Sequence, residues 1–141
     1  MPFSKAVSLS KDIILVLEGK DVDLSSLAEK YDVSIEYINA ILEGAYKLRA
    51  LFPGRSLSWY VRSSTRVLLG IRKISDRHWV VRGIKEYGDV YRYYNVFLSG
   101  DKYICDCFSR VFGWYRKNRV CTHIGAVILA RKVSKRISFF L

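Results

Sequence analysis

Apolar positions in the first third of the chain recur at helical spacing and are punctuated by capping residues. Ser10 is placed to cap a helix over Lys11 to Glu18, which Gly19 would stop. Asp23 is placed to cap a second over Leu24 to Lys30, and Ser34 a third. The third carries Ile35, Ile38, Ile41, Leu42, Ala45 and Leu48 as one stripe, and Phe52-Pro53-Gly54 ends it. Leu57, Tyr60, Val61, Ser64, Leu68 and Ile71 keep the helical period, with Gly70 placed to close that helix, although Arg66 to Ile74 alone also fits a strand. Alternation then replaces the helical period. Ser75-Asp76 turns into a strand over Arg77 to Arg82, Tyr87-Gly88-Asp89 turns again, and Val90 to Leu98 alternates as a further strand. Ser99-Gly100-Asp101 closes the last hairpin into a strand holding Cys105 and Cys107, and Ile124 to Val133 reads as the body of a final helix. The pattern predicts an α+β chain. A helical, helix-turn-helix-like segment is expected over residues 1–54, and a small antiparallel sheet with a C-terminal helix over residues 55–141.

The chemistry is concentrated near the last hairpin. Cys105-Asp106-Cys107 and Cys121-Thr122-His123 hold all three cysteines and one of the two histidines. Three thiols cannot pair off as disulfides, and four donors complete a tetrahedral metal site. On an extended strand Cys105 and Cys107 would share a face. In a helix, positions i and i+2 diverge, so Cys121 is expected at a helix entrance with His123 in the first turn. A helix N-terminus also favours the thiolate that a metal requires. The expected cofactor is one structural Zn²⁺ held by Cys105, Cys107, Cys121 and His123. The plainer alternative, buried cysteines beside a core histidine with no metal, is disfavoured by the completeness of the donor set.

These residues resemble the SWIM zinc-binding pattern, Cys-x-Cys followed by a variable gap and Cys-x-His. Tyr94-Asn95-Val96-Phe97-Leu98 is similar to the strand that precedes the family's first pair, and Ile124-Gly125-Ala126-Val127 to the apolar helix after its second. The resemblance spans roughly Arg77 to Lys132. It implies a zinc-supported module for binding DNA or protein, of the kind found in recombination-associated subunits, transposases, remodelling ATPases and ubiquitin ligases. Phe108 stands where family members often carry proline, and Thr122 where they often carry lysine; neither position is a ligand. Upstream, Leu27-Ala28-x-x-Tyr31-x-Val33-Ser34-x-x-x-Ile38 resembles a helix-turn-helix, with Asp32 in the turn where glycine is usual. Its expected exposed positions, Glu36, Tyr37, Asn39, Ala40 and Glu43, bring two carboxylates and no cation before Lys47. Carboxylates repel a phosphate backbone, so this segment is expected to bind a protein partner, such as a recombinase or ATPase, more than DNA.

Composition changes the picture by its distribution. Half of the 141 residues are hydrophobic and 14% aromatic, enough to build a core. No run reaches the eighteen apolar residues of a membrane span and Met1-Pro2-Phe3-Ser4-Lys5 opens no signal-peptide pattern, so an intracellular protein, cytoplasmic or nucleoid-associated, is expected. The net charge of +11 is split: residues 1–54 carry six Lys/Arg against eight Asp/Glu, whereas residues 55–141 carry eighteen against five. A portion at +13 points to a polyanionic partner, nucleic acid, with DNA the expected one, the plainer alternative being a cationic surface kept for solubility.

The main contact is expected in the gap between the two ligand pairs. It joins Arg110, Arg116, Lys117 and Arg119 to Phe108, Phe112, Trp114 and Tyr115, with Gly113 as a hinge. Cations supply phosphate affinity and aromatic faces stack on open bases. Arg131, Lys132, Lys135 and Arg136 form a second basic cluster, followed by the apolar Ile137-Ser138-Phe139-Phe140-Leu141, which is expected to dock on the core. Catalysis has little to stand on, because the metal consumes every cysteine and one histidine, and His78 is expected to be a half-exposed strand residue. No enzyme activity and no small-molecule substrate are expected.

Overall fold

The computed structural model describes residues 1–107, 120–133 and 137–141. Four helices, α1 (Phe3–Leu17), α2 (Leu24–Tyr31), α3 (Ile35–Leu51) and α4 (Leu57–Leu68), precede a sheet of β1 (Ile71–Ser75), β2 (His78–Arg82), β3 (Tyr93–Ser99) and β4 (Lys102–Cys105). Helix α5 (Thr122–Lys132) follows the sheet. The strands are antiparallel neighbours in chain order, so the fold is α+β with a four-stranded meander.

The capping chemistry places most helix starts. Asp23 accepts from the Ser25 N–H, Ser34 from Tyr37 and Ser56 from Trp59, each at 3.1 Å, which satisfies a donor the helix itself leaves open. Asp32, at φ 52°, takes the left-handed conformation expected of the turn between α2 and α3. Helix α1 corrects the sequence reading. It begins at Phe3 with Pro2 at the cap, and Ser10 is fully buried inside it. Ala6, Leu9 and Ile13 already form a buried stripe at i, i+3 and i+7, so burying them carries the helix upstream past the capping signal. Ile71 likewise leaves the helical series: α4 stops at Leu68, Gly70 (φ 98°) reverses the chain, and Ile71 opens β1.

Two further differences lie in the sheet. The third strand starts at Tyr93 rather than Val90, because Val90 and Tyr91 donate their N–H groups to the Tyr94 hydroxyl. Gly83 permits that path, since a Cβ there would stand 1.9 Å from the Tyr91 carbonyl oxygen. The fourth strand ends at Cys105, so Cys107 lies past the strand's end, although its thiol still reaches the same side as that of Cys105. Trp79, Val81, Tyr94 and Val96 point inward from β2 and β3 and are buried.

Helix α5 is the common partner. It packs on α3, on α4 and on the inner face of the sheet, and every residue from His123 to Ala130 is buried. The approach to α4 is close: a Cβ on Gly125 would meet Ser63 Oγ at 2.5 Å and the Trp59 ring at 3.1 Å. One buried core therefore joins α1 and α3 to α4, α5 and the sheet. The apolar segment 137–141 docks as expected. Phe140 makes a parallel bridge to Ile71, and Phe139 meets Tyr37 edge-on with ring centroids 5.1 Å apart. Tyr37 is consequently not exposed, and burial pushes its hydroxyl pKa up to about 12. Ala40 is buried as well, so of the residues expected to face outward from α3, Glu36 and Asn39 are exposed and Glu43 half-buried.

Candidate metal centre

The end of β4 and the start of α5 bring four donors together. Val96 pairs with Cys105, and the Asp106 N–H continues the ladder to the Asn95 carbonyl at 3.1 Å, which carries the chain to Cys107. Cys121 is the N-cap residue of α5, in extended conformation, and His123 lies in the first turn, as the i, i+2 spacing requires. The Trp59 indole N–H holds the Val120 carbonyl at 3.1 Å and so fixes the approach to Cys121. The donor atoms of Cys105, Cys107, Cys121 and His123 all lie within 4.8 Å of one another. No disulfide joins the cysteines.

The geometry fits a zinc ion. Bond lengths of about 2.3 Å to sulfur and about 2.0–2.1 Å to nitrogen at the tetrahedral angle give an S···N edge of roughly 3.5–3.6 Å. His123 Nδ1 stands 3.7 Å from Cys105 Sγ and 3.6 Å from Cys121 Sγ. Nδ1 is therefore the nitrogen placed to ligate an ion held by this cluster. Four protein donors leave no open position, which is the structural class of site.

Behind the ligands runs a buried polar network. His123 Nε2 lies 3.2 Å from Asp89 Oδ1, with its N–H tilted off the direct line to the carboxylate. Asp89 Oδ2 accepts from Arg66 Nη1 at 2.6 Å and from the Ile84 N–H at 2.7 Å, while Oδ1 accepts from Arg66 Nη2 at 3.3 Å. Arg66 Nε completes the chain by donating to Thr122 Oγ1 at 3.0 Å. A carboxylate on the far nitrogen fixes the tautomer and the ring plane of a ligating histidine. Tyr94 stacks on the same ring at 4.2 Å, which restricts it further.

The electrostatics agree with this arrangement. Burial opposes ionisation of Asp89, but His123 and the hydrogen bonds and charge of Arg66 outweigh it and hold the carboxyl well below the usual range. Burial also works against a charged His123, and the contacts with Asp89 and Cys121 more than offset it, so its pKa is raised in the metal-free protein. Among the thiols, Cys105 is pushed up by donating hydrogen bonds to Cys107 and Cys121 and by burial. Cys121 is pulled down despite burial, because Cys105, Cys107 and His123 stabilise its thiolate.

Sequence reasoning named the four donors that the fold clusters and missed Arg66, Asp89 and Trp59. Arg66 lies outside the apolar stripe of its helix, and Asp89 carries only a turn signal; nothing local marks either as a partner of His123. Arg131 and Lys132 are both exposed. Arg131 lies over the Trp79 ring at 4.9 Å and donates to the Tyr103 hydroxyl, while Lys132 offers its carbonyl to Lys47 Nζ at 3.2 Å. Arg110, Trp114, Tyr115, Arg116, Lys117 and Arg119, expected as the main nucleic-acid contacts, lie outside the described residues, as do Lys135 and Arg136. His78 is half-buried, its ring 4.3 Å from Phe97 and its Nε2 2.8 Å from Asn95 Oδ1. Among the described residues no helix is long and apolar enough to cross a membrane. No family model, no curated protein and no solved structure matches this chain.

Proposed function

We propose that the chain is a non-enzymatic, zinc-stabilised nucleic-acid-binding module of SWIM type, with DNA as its expected ligand and an accessory role in recombination, repair or transcription. The observation that carries this reading is the charge of residues 55–141 together with the fate of their carboxylates. Of the five, Asp89 is buried against Arg66 and His123, Asp106 accepts from the Asn95 backbone and side chain, and Asp76 is paired with Lys73. The eighteen cations of the same stretch, one of them the buried Arg66, outnumber its carboxylates more than threefold. Zinc supports the reading by pinning both ends of the basic, aromatic segment 108–119, which lowers the entropic cost of presenting it. The test is titration of the whole zinc-loaded protein with labelled single- and double-stranded DNA at several salt concentrations. Binding should weaken linearly in log affinity against log salt. No binding at low salt would overturn the reading.

A second reading, an adaptor that docks a protein partner, is favoured by one observation. An apolar groove of about 450 Å³ lies between α1 and α4, lined by Val7, Ile14, Leu15, Leu57 and Val61. Leu15→Glu and Leu57→Glu, both at exposed positions, should abolish co-purification of a partner while leaving DNA affinity intact. Unchanged co-purification would count against it.

A further inference from the structure

The face of the sheet turned away from α5 is unlike an ordinary solvated surface. Alternation along β2 and β3 sends Trp79, Val81, Tyr94 and Val96 inward, so His78, Val80, Arg82, Tyr93, Asn95 and Phe97 point outward. Tyr93 and Phe97 remain 56% and 41% exposed, a large accessible aromatic area for one strand. They lie about 14 Å apart along the strand, from four residues at about 3.4 Å each. Arg82 stands directly opposite Tyr93, and Arg72 is one strand further out, opposite Val80. These two arginines, Arg92 and Tyr93 line a groove of about 800 Å³ on this side of the sheet. All four are exposed.

The floor of the face is rigid. The His78 ring stacks on Phe97, and Asn95 between the two aromatics is held at both ends of its amide, by His78 on Oδ1 and by Asp106 on Nδ2 at 2.9 Å. Among the described residues of β2, β3 and the end of β4 that point outward, the carboxylate is Asp106, and its oxygens are engaged by the Asn95 N–H and amide.

We infer that this outer face is a stacking platform for single-stranded nucleic acid, with Tyr93 and Phe97 carrying bases and Arg72, Arg82 and Arg92 carrying phosphates. The inference rests on the nucleic-acid reading above and adds to it the form of the ligand and a second contact surface. An open strand suits the face because a base must leave its stack to lie on an aromatic ring, and paired bases in a duplex are closed to it. A protein ligand would ask for an acidic surface to meet three arginines and would gain nothing from their spacing around exposed rings. The distance between the rings admits two bases that are not adjacent, with the backbone running past Arg82.

The experiment uses the intact zinc-loaded protein and a fluorescein-labelled oligothymidylate about 15 nucleotides long, within the span that single-strand binding surfaces cover. Tyr93→Ala and Phe97→Ala should each lower affinity at least about fivefold, the weak end of base–aromatic stacking, while zinc content stays unchanged and both variants remain folded. Tyr93→Leu and Phe97→Leu keep apolar bulk on the strand and should lose binding just as the alanine variants do. The pair Arg72→Gln and Arg82→Gln should reduce the log–log salt slope by about 1.4, at roughly 0.7 per single-strand phosphate contact. If the parent binds the oligothymidylate and these variants bind it equally well, the platform is overturned and the nucleic-acid reading stands. If the parent binds duplex alone, the platform is again overturned. If the parent binds neither, both fall together.

Discussion

Asp89 stands behind His123: its Oδ1 lies 3.2 Å from Nε2, while Nδ1 of the same ring faces the Cys105 and Cys121 sulfurs at 3.7 and 3.6 Å. One imidazole therefore joins the donor cluster to a buried ion pair with Arg66, whose side chain is only 2% exposed. Asp89→Asn keeps the size and removes the charge. Metal affinity, measured by chelator competition, should fall by about 10- to 100-fold. Stability should fall by about 3–5 kcal/mol, because Arg66 is left buried without its counter-charge. A variant that melts like the parent and holds metal as tightly would separate the network from the centre.

Cys107→Ala removes a ligand without touching that network. One zinc per chain in the parent should drop well below that value, and the melting temperature should fall by more than 10 °C, since structural zinc supplies about 10–16 kcal/mol in small peptides. Atomic absorption on the purified proteins and thermal melts with and without chelator check both. Acidification should release the metal as protons compete for the thiolates.

A second pH effect lies far from the metal. Asp12 in α1 accepts hydrogen bonds from the Tyr31 hydroxyl and from Lys30 Nζ, the latter at 3.1 Å. Burial raises its pKa, but those bonds and the Lys30 charge outweigh it, and the net direction is downward. A lowered folded pKa gives stability that is fully present above the unfolded value of about 3.9 and is lost as pH falls through the folded one. Asp12→Asn should therefore cost about 0.5–1.5 kcal/mol near neutrality, and the gap to the parent should close below about pH 4 in denaturant melts. A gap that persists at pH 2 would assign the loss to packing.

Gly125→Ala tests the contact between α4 and α5. The added methyl meets Ser63 Oγ and the Trp59 ring, so a loss of about 1–3 kcal/mol is expected. Ser63 is fully buried with no hydrogen-bond partner in the structure, and Ser63→Ala alone should cost little. Combining the two should recover part of the loss, which a double-mutant cycle in denaturant reads directly.

What the sequence made legible is what local physics decides. The caps at Asp23 and Ser34, the αL turn at Asp32 and the entry of α5 at Cys121 all lie where short-range rules place them. The ligand set was equally local, since residue type and spacing suffice to name four donors. Failures arose where tertiary burial overruled a local signal. Ser10 looked like a cap and is a core residue; Val90 fits an alternating strand, but its N–H is held by Tyr94; Cys107 was expected on β4 and lies beyond it. The partners of His123 could not be found locally, because Arg66 and Asp89 approach from 57 and 34 residues away in the chain.

The parallel bridge between Ile71 and Phe140, with the Leu141 N–H donating to the Ile71 carbonyl at 2.8 Å, changes how the sheet meets its neighbours. An uncovered outer strand is a template on which another chain can add a strand of its own. Here the protein adds one from itself at the apolar end of β1, and the rest of that short strand carries exposed Arg72 and Lys73. Charge at Arg72 and Lys73 discourages a second copy there, and self-pairing occupies the backbone at the buried Ile71. Removing residues 137–141 would therefore show first as concentration-dependent fibrillation nucleated at β1.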